Sequence, residues 1–261
     1  MGDRHRHSGK SCLEGLGASL TSIHESSAPE LESNKKRKIM HRTVKFAFSA
    51  VLLMALLPTQ PARADNLASV LARLDVAAKD FHTTTATVEF DTIQTDPIPD
   101  TDVQRGTAYY QRSGTTFQMA GHLTEHNNHP SDKIYIFSRG VFRISETGKE
   151  SDAKTYTQAG KYESYVTLGF GASGSQLAEK WDIKYLGTEK IDGVVTDKLE
   201  LVAKDPAVRK NIPKVTAWMD TARAVSLKVI FDEGEGQSWV GHYTNIKINQ
   251  PLPPGAFSFD K

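Results

Sequence analysis

Apolar and polar residues alternate one by one in short segments that recur along the chain from Ala86 to Asn249. This period of two is typical of β-strands with one buried face, because successive side chains point to opposite sides of a sheet. Turn sequences such as Asp192-Gly193 separate neighbouring segments and suit tight hairpins. Short adjacent strands joined in this way form an antiparallel meander. The predicted strands are 84–90, 106–112, 115–121, 132–137, 141–146, 182–189, 194–204, 215–221, 224–231 and 238–249.

A few stretches have helical rather than alternating spacing. Residues 67–82 form an amphipathic pattern behind an Asp65-Asn66 cap, and 162–168 and 175–180 fit short helices. Gly169–Gly174 reads as a flexible loop that could act as a lid near a cavity, since it lacks the lysine of a phosphate-binding loop. The predicted fold class is mainly β (α+β), a curved antiparallel sheet with helices on its apolar face. The pattern does not distinguish a cavity on that face from a filled core.

The segment Met40–Ala64 has a basic head, an apolar run and a final Ala-Arg-Ala, the order found in secretory signal peptides. The run is shorter than the ~20 residues that cross a hydrocarbon core. We therefore predict a signal peptide at 40–64, a disordered or mis-assigned extension at 1–39, and a lipid- or lipoprotein-binding domain at 65–261. The expected product is periplasmic, although a signal of this kind does not by itself separate the periplasm from the medium.

Residues 65–261 contain more acidic than basic residues, which argues against nucleic-acid binding. The single cysteine, Cys12, lies ahead of this part, so no disulfide, cysteine metal site or lipidated cysteine is expected in it. We also predict no cofactor. Monomeric behaviour is expected.

The one motif with enzyme chemistry is His122-Leu-Thr-Glu125-His126, which matches the H-x-x-E-H pattern of some zinc proteases. That mechanism needs a helix to bring both histidines to one metal ion. Here Asn127-Asn-His-Pro130 follows, and the sequence predicts a polar loop over 122–131. We predict no catalytic residues and no metal site; the alternative kept open is a secreted metal-dependent hydrolase that uses this segment.

Several stretches together resemble a known family. Gly106-Thr-Ala-Tyr-Tyr-Gln-Arg112 is a strand with glycine, aromatic residues and a final arginine, and Ile134–Ile144 is a hairpin with Arg139-Gly140 at its turn. The end of the chain, Tyr243–Phe259, combines a long strand with an Asn-x-Pro and Phe-x-Phe tail. In this order, after a signal peptide and one helix, they resemble LolA, the periplasmic carrier family of outer-membrane lipoprotein sorting. Ser113 departs from the family, where a proline often follows the arginine.

The resemblance implies an incomplete β-barrel closed by the N-terminal helix and short helices around an apolar cavity that accepts acyl chains. It implies an inner-membrane release complex and an outer-membrane acceptor as partners, and acylated lipoprotein or another lipid as cargo. Arg112 matches the arginine that the family uses near the cavity mouth. A lipid-sensing envelope regulator is the other alternative. The residues predicted to contact lipid are Val88, Phe90, Tyr110, Arg112, Phe117, Met119, Ile134, Ile136, Phe142, Trp218, Val229, Phe231 and Trp239.

Overall fold

The computed structural model of the protein describes residues 66–114 and 116–260. The extension predicted at 1–39 and the signal peptide predicted at 40–64 lie outside the described residues. Within the described ranges, no helix has both the length and the apolar character needed to cross a membrane.

The described chain forms eleven strands and four α-helices. The strands are β1 (Thr83–Gln94), β2 (Asp100–Ser113), β3 (Thr116–His126), β4 (His129–Ser138), β5 (Val141–Ser145), β6 (Lys154–Tyr156), β7 (Trp181–Ile191), β8 (Val194–Ala203), β9 (Lys214–Asp220), β10 (Val225–Gly234) and β11 (Gln237–Ile248). The helices are α1 (Leu67–Ala77), α2 (Glu163–Val166), α3 (Gly174–Lys180) and α4 (Pro206–Arg209). Short 3₁₀ turns lie at Ala78–Asp80, Glu150–Asp152 and Ala159–Tyr162.

All eleven strands belong to one antiparallel sheet in the order β6-β5-β4-β3-β2-β1-β11-β10-β9-β8-β7. Two meanders, β1 to β6 and β7 to β11, are joined where β1 pairs with β11. In the described part of the chain β6 and β7 stay at the two ends of the sheet, so the barrel is not closed. The prediction of a mainly β fold with a curved, incomplete antiparallel barrel is confirmed.

Helix α1 begins where the sequence predicts and ends earlier. The Asn66 side chain accepts a hydrogen bond from the Ser69 N–H at 2.9 Å and caps the helix. Val70 and Leu74 are fully buried in the same core as the inner face of the sheet. The predicted helix over 67–82 is too long, because the last turn tightens to a 3₁₀ turn after Ala77 and extended backbone follows.

Residues 159–172, here called the lid, connect β6 to β7, and Tyr165, Leu168 and Phe170 pack into the core on the inner face of the sheet. The glycine-rich end of the lid is not the free loop that the sequence predicts. Phe170 pairs with Val225 at the start of β10, and the Ser226 N–H donates to the Gly169 carbonyl at 2.6 Å. Gly169 has a φ of +82°, and an added Cβ would overlap the Ser226 side chain, so the close approach requires glycine.

The outer face of β2–β4 carries a second, smaller apolar core. Tyr109, Ile134 and Ile136 pack there against Ala256 and Phe259 of the C-terminal tail. The tail therefore shields these apolar side chains of the outer face from solvent. Both faces of β4 are buried in consequence.

One local prediction is wrong, and two short elements were not predicted. The segment His122–His126 is part of β3, not a loop, because the hairpin to β4 turns in only two residues, Asn127 and Asn128, at φ values of 48° and 62°. Asparagine accepts this left-handed backbone more readily than most residues. The edge strand β6 and the short helix α4 are not predicted by the alternation, since neither is long enough to show a period.

Candidate functional site

An apolar cavity of about 130 Å³ lies between the inner face of the sheet and the lid. An engineered apolar cavity of about 150 Å³ takes up benzene, and drug-sized ligands occupy roughly 300–1,000 Å³. The cavity as it stands therefore holds a short apolar segment. A complete acyl chain fits only if the lid or neighbouring side chains move.

Seven of the residues predicted to contact lipid line this cavity. They come from six of the strands, all from inward-facing positions, where the alternation of each strand points side chains to the concave side. These residues are Phe90, Tyr110, Met119, Phe142, Val229, Phe231 and Trp239. Aromatic contacts join several of them; the rings of Phe90 and Trp239 stack at a centroid distance of 4.5 Å.

The hydroxyl groups in the cavity are buried and neutral. Burial raises the pKa of Tyr110 and Tyr135 well above the usual value, and raises that of Tyr243 to about 12. These hydroxyl groups therefore add no charge to the cavity at neutral pH. The centre of the cavity is thus suited to hydrocarbon.

Arg112 does not line the cavity but holds the lid over it. Its Nη1 donates to the Ala78 carbonyl at 3.1 Å, at the end of α1, and its Nη2 donates to the Gly171 carbonyl in the lid. Burial lowers the pKa of Arg112 from its usual value, but the guanidinium remains charged at neutral pH. One side chain of β2 therefore ties the first helix and the lid to the sheet.

A larger cleft of about 680 Å³ adjoins Arg112 on the other side of the lid. Phe117 and Phe170 line it, together with charged residues of both signs. The ring of Phe170 stacks on that of Tyr110 at 3.9 Å with an interplanar angle of 9°. Since Tyr110 lines the cavity and Phe170 the cleft, this stacked pair separates the two spaces.

Five of the other residues predicted to contact lipid do not line the cavity. Val88 is buried in the inner core, and Phe117 lies in the cleft. Ile134 and Ile136 face outward beneath the C-terminal tail, so their prediction as cavity residues is corrected. Trp218 also lies outside the cavity: Lys198 and Lys228 lie over its ring, at 4.7 and 5.3 Å, and its Nε1 donates to Glu189.

The register of β4 with β3 decides which side chains of β4 face the cavity. Tyr135 pairs with Gly121 and faces the cavity, so its neighbours Ile134 and Ile136 must face outward. Because isoleucine is more apolar than tyrosine, the sequence pattern assigned the isoleucine face of β4, rather than the tyrosine face, to the cavity. Gly121 leaves the space that the Tyr135 ring occupies, since an added Cβ would overlap that ring.

Sequence reasoning also missed part of the cavity wall. The lid contributes Tyr162, Tyr165, Val166 and Leu168. Their helical spacing was recognised in the sequence, but the spacing did not show that they pack over the inner face of the sheet. The polar end of the cavity is formed by Thr92, Gln104 and Lys133, for which the sequence offered no distinguishing signal.

The zinc-protease alternative is not favoured by the geometry. His122 and His126 lie on a strand; the His122 ring bonds the Ala256 carbonyl at 3.0 Å and the His126 ring bonds Asp102. Among residues 66–114 and 116–260, no group of three or more His, Cys, Asp or Glu side chains is arranged to hold a metal ion.

No protein-family model matches the sequence, and no match is found among the curated proteins. Solved structures do resemble it. An outer membrane lipoprotein-sorting protein domain from Vibrio parahaemolyticus is 14% identical with a TM-score of 0.41, over 74% of this chain and 97% of that one. A LolA superfamily protein from Nitrosomonas europaea is 14% identical with a TM-score of 0.37, over 75% of this chain and 98% of that one.

The lipoprotein LppX from Mycobacterium tuberculosis is 17% identical with a TM-score of 0.41, over 71% of this chain and 98% of that one. Lipoprotein-sorting and LolA superfamily proteins are thus among the structures that the chain resembles, as the sequence resemblance predicts.

Proposed function

We propose that the protein is an exported carrier that binds acyl chains of lipoproteins, or of another lipid, in its apolar cavity and takes them toward the outer membrane. The observation that supports this most is the cavity itself, apolar and neutral at its centre and covered by a lid that one arginine holds. The proposal draws its periplasmic location from the signal-peptide pattern at Met40–Ala64.

The energetics of such a carrier come from the hydrophobic effect. Each methylene moved from water into an apolar environment contributes about 0.8 kcal/mol, so six of them contribute about 5 kcal/mol. That suffices to keep a chain out of water while leaving exchange with a membrane or an acceptor protein feasible. Release requires the lid to open, not a covalent step, and the proposed activity is binding rather than catalysis.

The partners belong to the same proposal. A carrier between two membranes receives its cargo from a donor in the inner membrane and gives it to an acceptor in the outer membrane. The proposal includes both, together with a monomeric carrier that needs neither metal nor cofactor.

The test is binding of a neutral fluorescent naphthylamine probe, with native mass spectrometry for co-purified lipid. Val166 lies on the lid helix α2 and lines the cavity, so Val166→Trp should fill it and reduce probe affinity at least tenfold. Val76→Trp is the matched control, because Val76 on α1 is 66% exposed. Absence of probe binding and of bound lipid in the unmodified protein would refute the carrier function.

A further inference from the structure

One charged side chain enters the cavity. Among the described residues that line it, Lys133 alone carries a charge at neutral pH. Lys133 pairs with Leu123 of β3 and lies two residues before Tyr135, so it shares the inward face of β4 with that tyrosine. Only 11% of its side chain is exposed, which means that its aliphatic part forms cavity wall.

Lys133 lies at the end of the cavity away from the arginine that holds the lid. On β2–β3 Arg112 pairs with Phe117, whereas Lys133 pairs with Leu123, six residues further along β3. At about 3.3 Å per residue this is about 20 Å along the strand. Gln104 lines the same end, and its Nε2 donates to Asp102 at 3.0 Å.

The ammonium group of Lys133 has one partner that a ligand can replace. Its Nζ lies 3.1 Å from Glu146 Oε1, and the Glu146 side chain is 56% exposed. An ion pair with a partner this exposed contributes only about 0–1 kcal/mol, because water solvates the carboxylate nearly as well. A ligand anion inside the cavity would be less solvated and would form a stronger charge-assisted hydrogen bond with the same ammonium group.

We propose that the cavity selects amphiphiles with an anionic head group, a carboxylate or a phosphate, which binds Lys133 in place of Glu146. The hydrocarbon chain then runs from Lys133 past Tyr135 and Met119 toward Tyr110. This inference rests on the proposed carrier function and adds the chemical class of the ligand. It assigns a polar anchor to one end of the cavity and leaves the Arg112 contacts that hold the lid, at the other end, free to break.

The experiment measures displacement of the neutral naphthylamine probe from the full chain at pH 7.5 by dodecanol, dodecanoate and dodecyl phosphate. These three ligands share one chain and differ in the head group. We expect dodecanoate to bind about tenfold more tightly than dodecanol, which corresponds to about 1.4 kcal/mol. Lys133→Met should remove this preference, and Lys133→Arg should retain it.

Two further variants separate an anchor from a purely structural ion pair. Glu146→Gln releases the ammonium group and should strengthen dodecanoate binding two- to fivefold. If the pair served only to join β4 to β5, Glu146→Gln would weaken binding as Lys133→Met does, which would overturn the inference. Lys247→Met is the matched control, since Lys247 is exposed on the outer face of β11.

The outcomes distinguish the two proposals. Equal affinity for dodecanol and dodecanoate in the unmodified protein refutes the anionic anchor but leaves the carrier function standing. Failure of all three ligands to displace the probe, or failure of the probe to bind, refutes the carrier function itself. Tighter binding of dodecyl phosphate than of dodecanoate supports the anchor and identifies a phosphate head group as the source.

Discussion

Arg112→Leu should increase the fraction of molecules in which the lid is open. Arg112 donates to the Ala78 carbonyl at 3.1 Å and to the Gly171 carbonyl, so the substitution removes both side-chain bonds that tie the lid and α1 to β2. Leucine retains most of the aliphatic volume of the arginine stem, which keeps the change of packing small.

The magnitude follows from these two bonds. Hydrogen bonds that involve a charged group contribute about 1.5–3 kcal/mol each, and the lower value applies here because Arg112 is half-buried. The free energy of lid opening should thus fall by about 3 kcal/mol. Since about 1.4 kcal/mol is a factor of ten, the open population rises on the order of 100-fold. Backbone bonds remain, such as that from the Gly171 N–H to the Ala224 carbonyl at 2.9 Å.

The assay is native-state hydrogen exchange of the Gly171 and Ser226 amides, which exchange when the lid separates from β10. Their exchange should accelerate on the order of 100-fold, and probe association should become faster. Amides in the centre of β8 and β9 should stay far better protected than those of the lid.

Two results would refute this reasoning. Unchanged exchange of the lid amides would show that Arg112 does not hold the lid. Equal exchange of lid and central strand amides would show that the lid does not open as a separate unit. Arg143→Leu is the matched control, because that arginine binds Glu150 and lies over the Phe259 ring on the outer surface.

Three further predictions concern stability. Gly171→Ala should destabilise the protein by about 1–3 kcal/mol in urea unfolding, since Gly171 has a φ of +71° and an added Cβ overlaps the Phe81 ring. Burial raises the pKa of Tyr243 to about 12, so its contribution to stability is complete below pH ~10 and is lost as pH rises toward 12, which the urea midpoint will show. Burial and then Glu89 raise the pKa of Asp91, so Asp91→Asn should increase stability at pH 7 and have little effect near pH 3.

Each of these has a matched control. Gly187→Ala also replaces a glycine at positive φ, 98°, but nothing lies within 4 Å of its Cβ, so a loss equal to that of Gly171→Ala would contradict the steric argument. Tyr156→Phe alters an exposed tyrosine and should leave the alkaline transition in place, whereas Tyr243→Phe should make it shallower. Asp182→Asn alters an exposed carboxylate; a gain as large as that of Asp91→Asn would exclude burial as the cause.

Much of the fold was predictable because strand formation here is local. The alternation located ten of the eleven strands, and only the three-residue β6 was missed. Asp192-Gly193 was recognised as a tight hairpin. The turn at Asn127-Asn128 was also recognised, but it was extended into a loop over 122–131, whereas the strands continue to His126 and resume at His129. The pairing of β1 with β11 was not readable from alternation, since the paired residues, from Gln94↔Gln237 to Thr84↔Ile248, are between 143 and 164 positions apart.

The cavity was predictable only in part. Phe90, Val229, Phe231 and Trp239 were identified because β1, β10 and β11 have one apolar face. Tyr243 of β11, which also lines the cavity, was not predicted. On β4 both faces are apolar, and the C-terminal tail decides which of them is outside. The lid contacts of Arg112 join it to residues 34 and 59 positions away, and no local pattern encodes such distances.

Local sequence encodes ten of the eleven described strands, most of their turns, the helical start at Asn66 and the apolar character of one face, because each depends on residues that are close together in the chain. The tertiary structure alone decided that this face encloses a cavity, that the glycine-rich segment is bound to β10, and that Lys133 enters an otherwise neutral wall. The physical reason is that burial and pairing depend on which segments meet across the sheet. Side chains such as Ile134 and Tyr135 acquire opposite roles only once the register of β3 with β4 is fixed.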